Sequence, residues 1–260
     1  MANFLEIDPQ KITQKIISFL KKEFNDRNKK IAILGISGGI DSSICAFLCK
    51  KTGLKLYTIN LPCKNQDTKD SELIERILKI SKKKVITINI GKTVDEQIRE
   101  IEKNIKLDSV DRGNIMARQR MIVQYALARK LNGLVVGTEN LSEYYLAYFT
   151  SYGDQACDIR PIAELLKTQV YQLGKYLGVP EKIIKKAPSA ELWNGQIDEA
   201  ELGFSYEKAD PIIYYYKIKK FTKRKILNNY NFSKSLVNKV VKRIDSTEYK
   251  REDPPKCIFC

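Results

Sequence analysis

Leu34-Gly35-Ile36-Ser37-Gly38-Gly39-Ile40-Asp41-Ser42-Ser43 is the stretch whose reading decides the fold. An apolar run from Ile31 to Ile36 enters it, and an apolar-rich segment from Ile44 to Leu48 leaves it. That pattern is strand, tight turn, helix. Paired glycines let the backbone bend sharply and approach a ligand closely. The helix that follows aims free N–H groups and the positive end of its dipole back at the turn, so a phosphate fits there. Asp41 would repel that phosphate unless a divalent cation lies between them. Magnesium is held in this way, by one or two carboxylates plus phosphate oxygens. The plainer reading makes Ser37 an N-cap and Asp41 a dipole-favoured acid. The order hydroxyl–Gly–Gly–x–Asp–Ser after an apolar strand is more specific than that, and motifs downstream give it context. No Gly-Lys-Ser/Thr follows, so the turn is not a Walker loop.

Around this turn, helix and strand signals alternate. Residues 9–27 form an amphipathic leading helix with Ile12, Ile16, Ile17 and Leu20 on one face. Strand one covers about 30–36, a helix covers about 41–51 and stops near Gly53, and strand two runs from Leu54 to Leu61. A helix follows from Ser71 to Ser81, then strand three from Val85 to Ile90 with alternating β-branched residues. Helices over Thr93–Asn104 and Gly113–Leu131 precede strand four, Leu134 to Gly137. Lys167 to Leu177 is helical and is closed by Gly178 and Pro180; the basic stretches Pro211–Leu236 and Leu236–Ile244 are helical as well. The expected fold class is α/β: a doubly wound parallel sheet of about five strands flanked by helices, with a helical C-terminal extension. One domain is expected over 1–260, with a core of about 10–210 and a basic helical part of about 211–260. Ligands of such sheets sit beyond the carboxyl ends of the strands, which places 37–43 and 138–143 together. Residues 138–166 are rich in Tyr, Gly and Asp without periodicity, and long irregular stretches of this kind are usually functional.

The 260 residues carry a net charge of +15, no histidine and six cysteines. The charge suits anionic partners but equally a lysine-rich background, so it decides nothing. The absence of histidine removes Ser-His-Asp, Cys-His and His-based zinc chemistry. Cys45 and Cys49 read as small core residues. The terminal Cys257-Ile258-Phe259-Cys260 pair, with no second pair, is a weak zinc signal and receives no role. Without a signal peptide or an 18-residue apolar run, a soluble, cytoplasmic protein is expected, with no membrane partner.

Five further segments carry chemistry. Gly113-Asn114-Ile115-Met116-Ala117-Arg118 opens the long helix, where Arg118 offers a fork to phosphate or carboxylate. In Gly137-Thr138-Glu139-Asn140-Leu141-Ser142-Glu143, Glu143 is a second carboxylate for the cation of Asp41 or a capping-box acid. Tyr148 to Asp158 combines aromatics and acids suited to a base and a ribose or amide, or to the core. Lys167 opens a helix against the dipole preference, which hints at an anionic ligand. Ser189, in Pro188-Ser189-Ala190-Glu191-Leu192-Trp193, is a phosphate donor or an N-cap.

The first stretch resembles the pyrophosphatase-loop signature, Ser-Gly-Gly-x-Asp-Ser, of enzymes that split ATP into AMP and pyrophosphate. With Gly-Asn-Ile-Met-Ala-Arg, Gly-Thr-x-Asn-x-Ser-Glu, Tyr-Phe-Thr-x-Tyr-Gly-Asp-x-Ala-Cys-Asp-Ile, Leu-Lys-Thr-Gln-Val and Pro-Ser-Ala-Glu-Leu-Trp in that order, the chain closely resembles ammonia-dependent NAD synthetase from about 10 to 255. The resemblance implies ATP-dependent amidation of deamido-NAD with ammonia through an acyl-adenylate, giving NAD, AMP and pyrophosphate. It implies that Gly35, Ile36, Ser37, Gly38, Gly39, Ile40, Asp41 and Ser42, with Thr138, Lys167 and Ser189, bind ATP, and that Asp41 and Glu143 bind Mg2+. Arg118, Ser151, Asp158, Tyr249 and Lys250 would contact deamido-NAD. Asp41, Lys167 and Asp154 are the candidate catalytic residues, and the family is homodimeric. Departures occur at Ser151, where Lys is frequent, and at Ala147 and Gln155, where Gly is frequent; Glu139 is a variant beside Thr138. No glutaminase domain is expected in this length. The competing readings are a tRNA-modifying member of the same loop superfamily, which would need an RNA-binding appendage, and a nucleotide-binding module without turnover. The segments from 138 to 193 and the intact Asp41, Glu143 and Lys167 disfavour both, so nucleic acid is not an expected partner.

Overall fold

A computed structural model describes residues 5–193 and 195–259; Cys260 of the terminal cysteine pair lies outside them. The elements in chain order are α1 Pro9–Asp26, β1 Ile31–Gly35, α2 Ile40–Thr52, β2 Lys55–Asn60, α3 Lys69–Ile77, β3 Val85–Thr87, α4 Gly91–Glu102, α5 Ser109–Leu131, β4 Leu134–Val135, α6 Leu141–Leu146, α7 Lys167–Leu177, α8 Glu181–Ile184, α9 Asp198–Leu202, α10 Tyr206–Ile213, α11 Lys223–Asn229 and α12 Lys234–Ser246.

The sheet is parallel with order β3-β2-β1-β4. β1 is central and buried on both faces. Ala32 and Leu34 point into a core shared with α1, α2 and α7, while Ile33 points to the opposite face, with α4 and α5. Strand alternation therefore feeds two cores from one five-residue segment. A third core gathers α6, α10, α11 and α12 beside the sheet. This is the doubly wound arrangement expected, with the crevice between β1 and β4 at the reversal of strand order.

The local causes are plain at the front of the chain. Asp8 caps α1 by accepting from Lys11 N at 2.9 Å, and Pro9 occupies the first turn. Ile16, Leu20 and Phe24 then form the buried stripe of α1. α2 buries ten of its thirteen residues, which is why its sequence is apolar nearly all round.

Three expectations change. The sheet has four strands among the described residues; a fifth position is reduced to an isolated parallel bridge, Val136 to Ile159. Pro161, two residues on, has no N–H with which to extend a ladder. β3 stops at Thr87, although Ile88 N and Ile90 N still donate to Asn60 O and Pro62 O at 2.9 Å each. The basic C-terminal helix is not continuous. α10 passes into a π-helical turn at Tyr214–Ile218, and the chain breaks again before α11 and α12. Lys220, at φ +53, turns the chain there.

Gly38 is the tightest point of the front turn. Its φ is +79, and a Cβ placed on it would lie 2.6 Å from Asp70 Cβ and 2.9 Å from Ser71 N. Gly38→Ala is therefore expected to destabilise the fold by about 1–3 kcal/mol, seen as a lower urea midpoint at unchanged slope. An unchanged midpoint would show that the turn relaxes freely.

Candidate active site

The turn after β1 is held in shape by its own hydroxyls. Ser37 Oγ accepts from Gly39 N at 3.2 Å and lies 3.2 Å from Ser42 Oγ, which itself donates to Gly39 O at 3.1 Å. Gly39, not Ser37, is the N-cap of α2. Gly35 N donates to Gln124 Oε1 at 3.1 Å, so a side chain of α5 closes the end of β1.

Asp41, in the first turn of α2, projects across the crevice. Lys167 Nζ donates to Asp41 Oδ2 at 2.6 Å and to Glu143 Oε1 at 2.9 Å. The lysine side chain is 3 % exposed and the two acids 17 % and 16 %. Asn140 fixes both acids: its Nδ2 donates to Asp41 Oδ1 at 2.8 Å and its Oδ1 accepts from Glu143 N at 3.0 Å, as N-cap of α6. Glu143 is thus both the capping-box acid and the partner of Lys167. Lys167 N donates to Ser142 Oγ at 2.8 Å, and Ser142 Oγ donates to Asp210 Oδ1 at 2.5 Å. The ammonium also lies 5.4 Å from the Tyr206 ring centroid, a cation–π distance.

Burial alone would lower the pKa of Lys167, but the carboxylates of Asp41 and Glu143 outweigh it and hold that pKa well above the usual value. Burial pushes the Glu143 carboxyl up, against the pull of Lys167. Asp210, enclosed beneath the cluster, is raised to about 6 by burial. Two carboxylates around one ammonium leave the cluster poor in positive charge, which suits a further cation.

These residues floor one cleft of about 260 Å3. Gly35, Ile36, Ser37, Gly39, Ile40, Asp41, Ser42, Thr138, Glu143, Asp154, Lys167 and Ser189 all line it. Gly38 does not; it packs against α3. Solvent reaches Asp154 from the cleft, yet burial among protein atoms raises its carboxyl, while the hydrogen bond from Thr150 N at 2.7 Å opposes that shift.

The five candidates for the second substrate lie outside the cleft lining. Arg118 Nε donates to Ser151 O at 3.2 Å on the exposed side of α5. Asp158 Oδ2 accepts from Val135 N at 2.7 Å, a bond that anchors the bridge at Ile159. Lys250 Nζ donates to Ala147 O at 3.0 Å and Phe149 O at 2.7 Å, and Tyr249 is 72 % exposed.

Several cleft residues escaped the sequence. Arg120 Nε donates to Leu61 O at 3.2 Å and its Nη2 to Gln66 Oε1 at 2.8 Å. Lys186 ties Asp70 on α3 to Glu191 in the loop over the cleft, at 3.0 and 2.8 Å. Asn140, behind the cleft lining, is the N-cap that the capping-box reading of Glu143 requires three residues earlier. No group of three or more Cys, Asp or Glu gathers for a metal among the described residues, and no helix there is long and apolar enough to cross a membrane.

A family model described as NAD synthase matches residues 12–254. An NH(3)-dependent NAD(+) synthetase of Sulfolobus acidocaldarius is 39 % identical over 246 residues, 94 % of this chain and 87 % of that protein. One of Thermococcus sibiricus is 40 % identical over 253 residues, 95 % and 97 % of the two chains. Among solved structures, NMN synthetase from Francisella tularensis superposes with a TM-score of 0.84 at 33 % identity, covering 98 % and 100 % of the two chains. NH3-dependent NAD synthetase from Campylobacter jejuni, solved with a nitrate ion, does so at 0.81 and 30 %, covering 97 % and 100 %.

The buried acid Glu139 makes this region pH-sensitive. Burial raises its carboxyl to about 7 from 4.5. A raised pKa in the folded state means stability is fully present below about 4.5 and is lost as pH rises through about 7. Glu139→Gln should abolish that loss: relative to the variant, the wild-type midpoint in urea falls between pH 5 and 8. Parallel pH profiles would contradict the shift.

Proposed function

The chain belongs to the NAD synthase family and is a ligase that forms C–N bonds, and from that premise we propose that it amidates deamido-NAD with ammonia through an acyl-adenylate. The observation that carries this reading is the meeting of the Ser37–Ser42 turn with Asp41, Glu143 and Lys167 on one cleft floor.

A carboxylate is a poor acceptor for ammonia, because the leaving group would be oxide. In the proposed reaction the nicotinate carboxylate attacks the α-phosphorus of ATP, and the bond to pyrophosphate breaks. Ammonium then gives one proton to a carboxylate, Asp154 in this proposal, and the nitrogen lone pair attacks the acyl carbon. The acyl–oxygen bond breaks, AMP leaves with that oxygen, and a second proton leaves the new amide nitrogen. The chain works by positioning and charge stabilisation rather than by a covalent intermediate on the protein.

Turn amides of 37–42, with Thr138 and Ser189, are the proposed donors to the phosphates. The donor set fits magnesium: two hard carboxylates meet on the cleft floor and outnumber the one ammonium they share. Asp41 and Glu143 would hold it, and it would neutralise charge on the leaving pyrophosphate. Lys167 sits at the point both acids share, and its ammonium is the proposed partner of the phosphates. Arg118, Ser151, Asp158, Tyr249 and Lys250, outside the cleft lining, remain the proposed contacts for deamido-NAD.

The structural likeness to an NMN synthetase favours a second reading, amidation of the mononucleotide nicotinate ribotide. A product assay decides: ATP, magnesium and either ammonium or glutamine, with deamido-NAD or nicotinate mononucleotide as acceptor. NAD formed from ammonium and deamido-NAD is the expected result. Preferential turnover of the mononucleotide would replace the first reading, and equal turnover with glutamine by the pure protein would overturn ammonia as the sole nitrogen source. Asp41→Asn should abolish pyrophosphate release while the fold is retained.

A second copy of the chain is the proposed partner, through α5. Only Gly113, Ala117 and Ala128 of that 23-residue helix are buried, and Ile122 is 53 % exposed. Ile122→Glu is expected to shift the protein toward monomer in sedimentation; an unchanged dimer would place the contact elsewhere.

A further inference from the structure

We propose that Glu139 holds the ammonium ion before it attacks, as a cation subsite of the cleft. The inference rests on the function proposed above, and assigns the place of its second substrate.

Glu139 follows β4 and is 8 % exposed. It lines the same cleft as Asp154, and the two charges interact. Both of its carboxylate oxygens are buried, and neither accepts a hydrogen bond from a described residue. Its ion pair with Arg160 Nη1 is long, 3.4 Å from Oε2. Arg160 directs its other N–H groups elsewhere, Nε to Cys157 Sγ at 3.3 Å and Nη2 to Gln155 O at 3.1 Å. Buried carboxylate oxygens without donors are rare because desolvation is left uncompensated. A carboxylate in this state, facing a cleft, is half of a binding site for a donor.

The chemistry of the donor follows from the acceptors. Glu139 and Asp154 both supply carboxylate oxygens to the lining of this cleft. An anion is excluded, and a divalent ion would look for the pair at Asp41 and Glu143. Ammonium brings a single positive charge and four N–H donors, enough to serve both carboxylates and still face the acyl carbon. The other cation expected in the cleft is the nicotinate ring, whose nitrogen carries the ribose and has no N–H to give. It can offer Glu139 charge but not a hydrogen bond.

Steady-state rates with ammonium varied, at saturating ATP and deamido-NAD, test this in wild type, Glu139→Gln and Glu139→Asp. Glu139→Gln should raise KM for ammonium roughly tenfold or more, the loss of one charge-assisted hydrogen bond. KM for deamido-NAD should not move, and Glu139→Asp should recover part of the effect. Hydroxylamine, uncharged at neutral pH, should trap the adenylate equally well in wild type and Glu139→Gln. An unchanged KM for ammonium overturns the proposal. So does a rise confined to deamido-NAD, which would give Glu139 to the nicotinate ring. Equal losses with both nucleophiles overturn it as well, since that outcome makes Glu139 structural. Failure of the wild type to exchange labelled pyrophosphate into ATP with deamido-NAD alone, before any ammonia is added, would instead sink the adenylation reading.

Discussion

An ammonium group buried between two carboxylates is the constraint on which the rest of this structure depends. Lys167 cannot be taken out of water without partners, and its partners come from different parts of the chain. Asp41 arrives on the helix after the central strand, Glu143 on the short helix after β4, and Tyr206 from the C-terminal helices. Removing the ammonium leaves two carboxylates facing each other without a counter-charge, and breaking a buried pair in this way typically costs about 3–5 kcal/mol. The cluster therefore ties α2, α6, α7 and α10 together, and sets the geometry of the cleft above it.

The sheet order makes that meeting possible. β1 and β4 are neighbours, and the turns leaving their carboxyl ends face each other across the crevice. The C-terminal helices are not an appendage to this arrangement. Asp210 takes hydrogen bonds from Ser142 Oγ and Thr168 N, Arg243 donates to Leu146 O at 2.8 Å, and Lys250 reaches the carbonyls after α6. Helix α6, which carries Glu143, is thus clamped from both sides. On the proposed function, the same clamp keeps the cation ligands aligned while the substrates enter.

How much of this was legible depended on how local the cause was. The strand–turn–helix at 31–52 could be read directly, because apolar runs, paired glycines and a first-turn acid all act within twenty residues. Lys167 announced itself by opposing the helix dipole, and the structure gives the reason: it faces two acids. Arg120 could not be separated from Arg118 by sequence. The two lie two residues apart on α5, hence on nearly opposite faces, and only the placement of the helix against β1 decides that Arg120 faces the cleft. The breaks in the C-terminal helices were hidden because the alternation of basic and apolar residues continues through them. Glu139 was visible only as a variant beside Thr138; its missing hydrogen-bond donors are a tertiary fact.

The central claim is that the cleft transfers adenylate to the nicotinate carboxylate before nitrogen arrives. Deamido-NAD labelled with 18O in that carboxylate tests it most directly, by mass spectrometry of the AMP formed with ATP, magnesium and ammonium. The account predicts one labelled oxygen in the AMP phosphate, carried there when the acyl–oxygen bond breaks. AMP without label, from a reaction that still yields NAD, would contradict it.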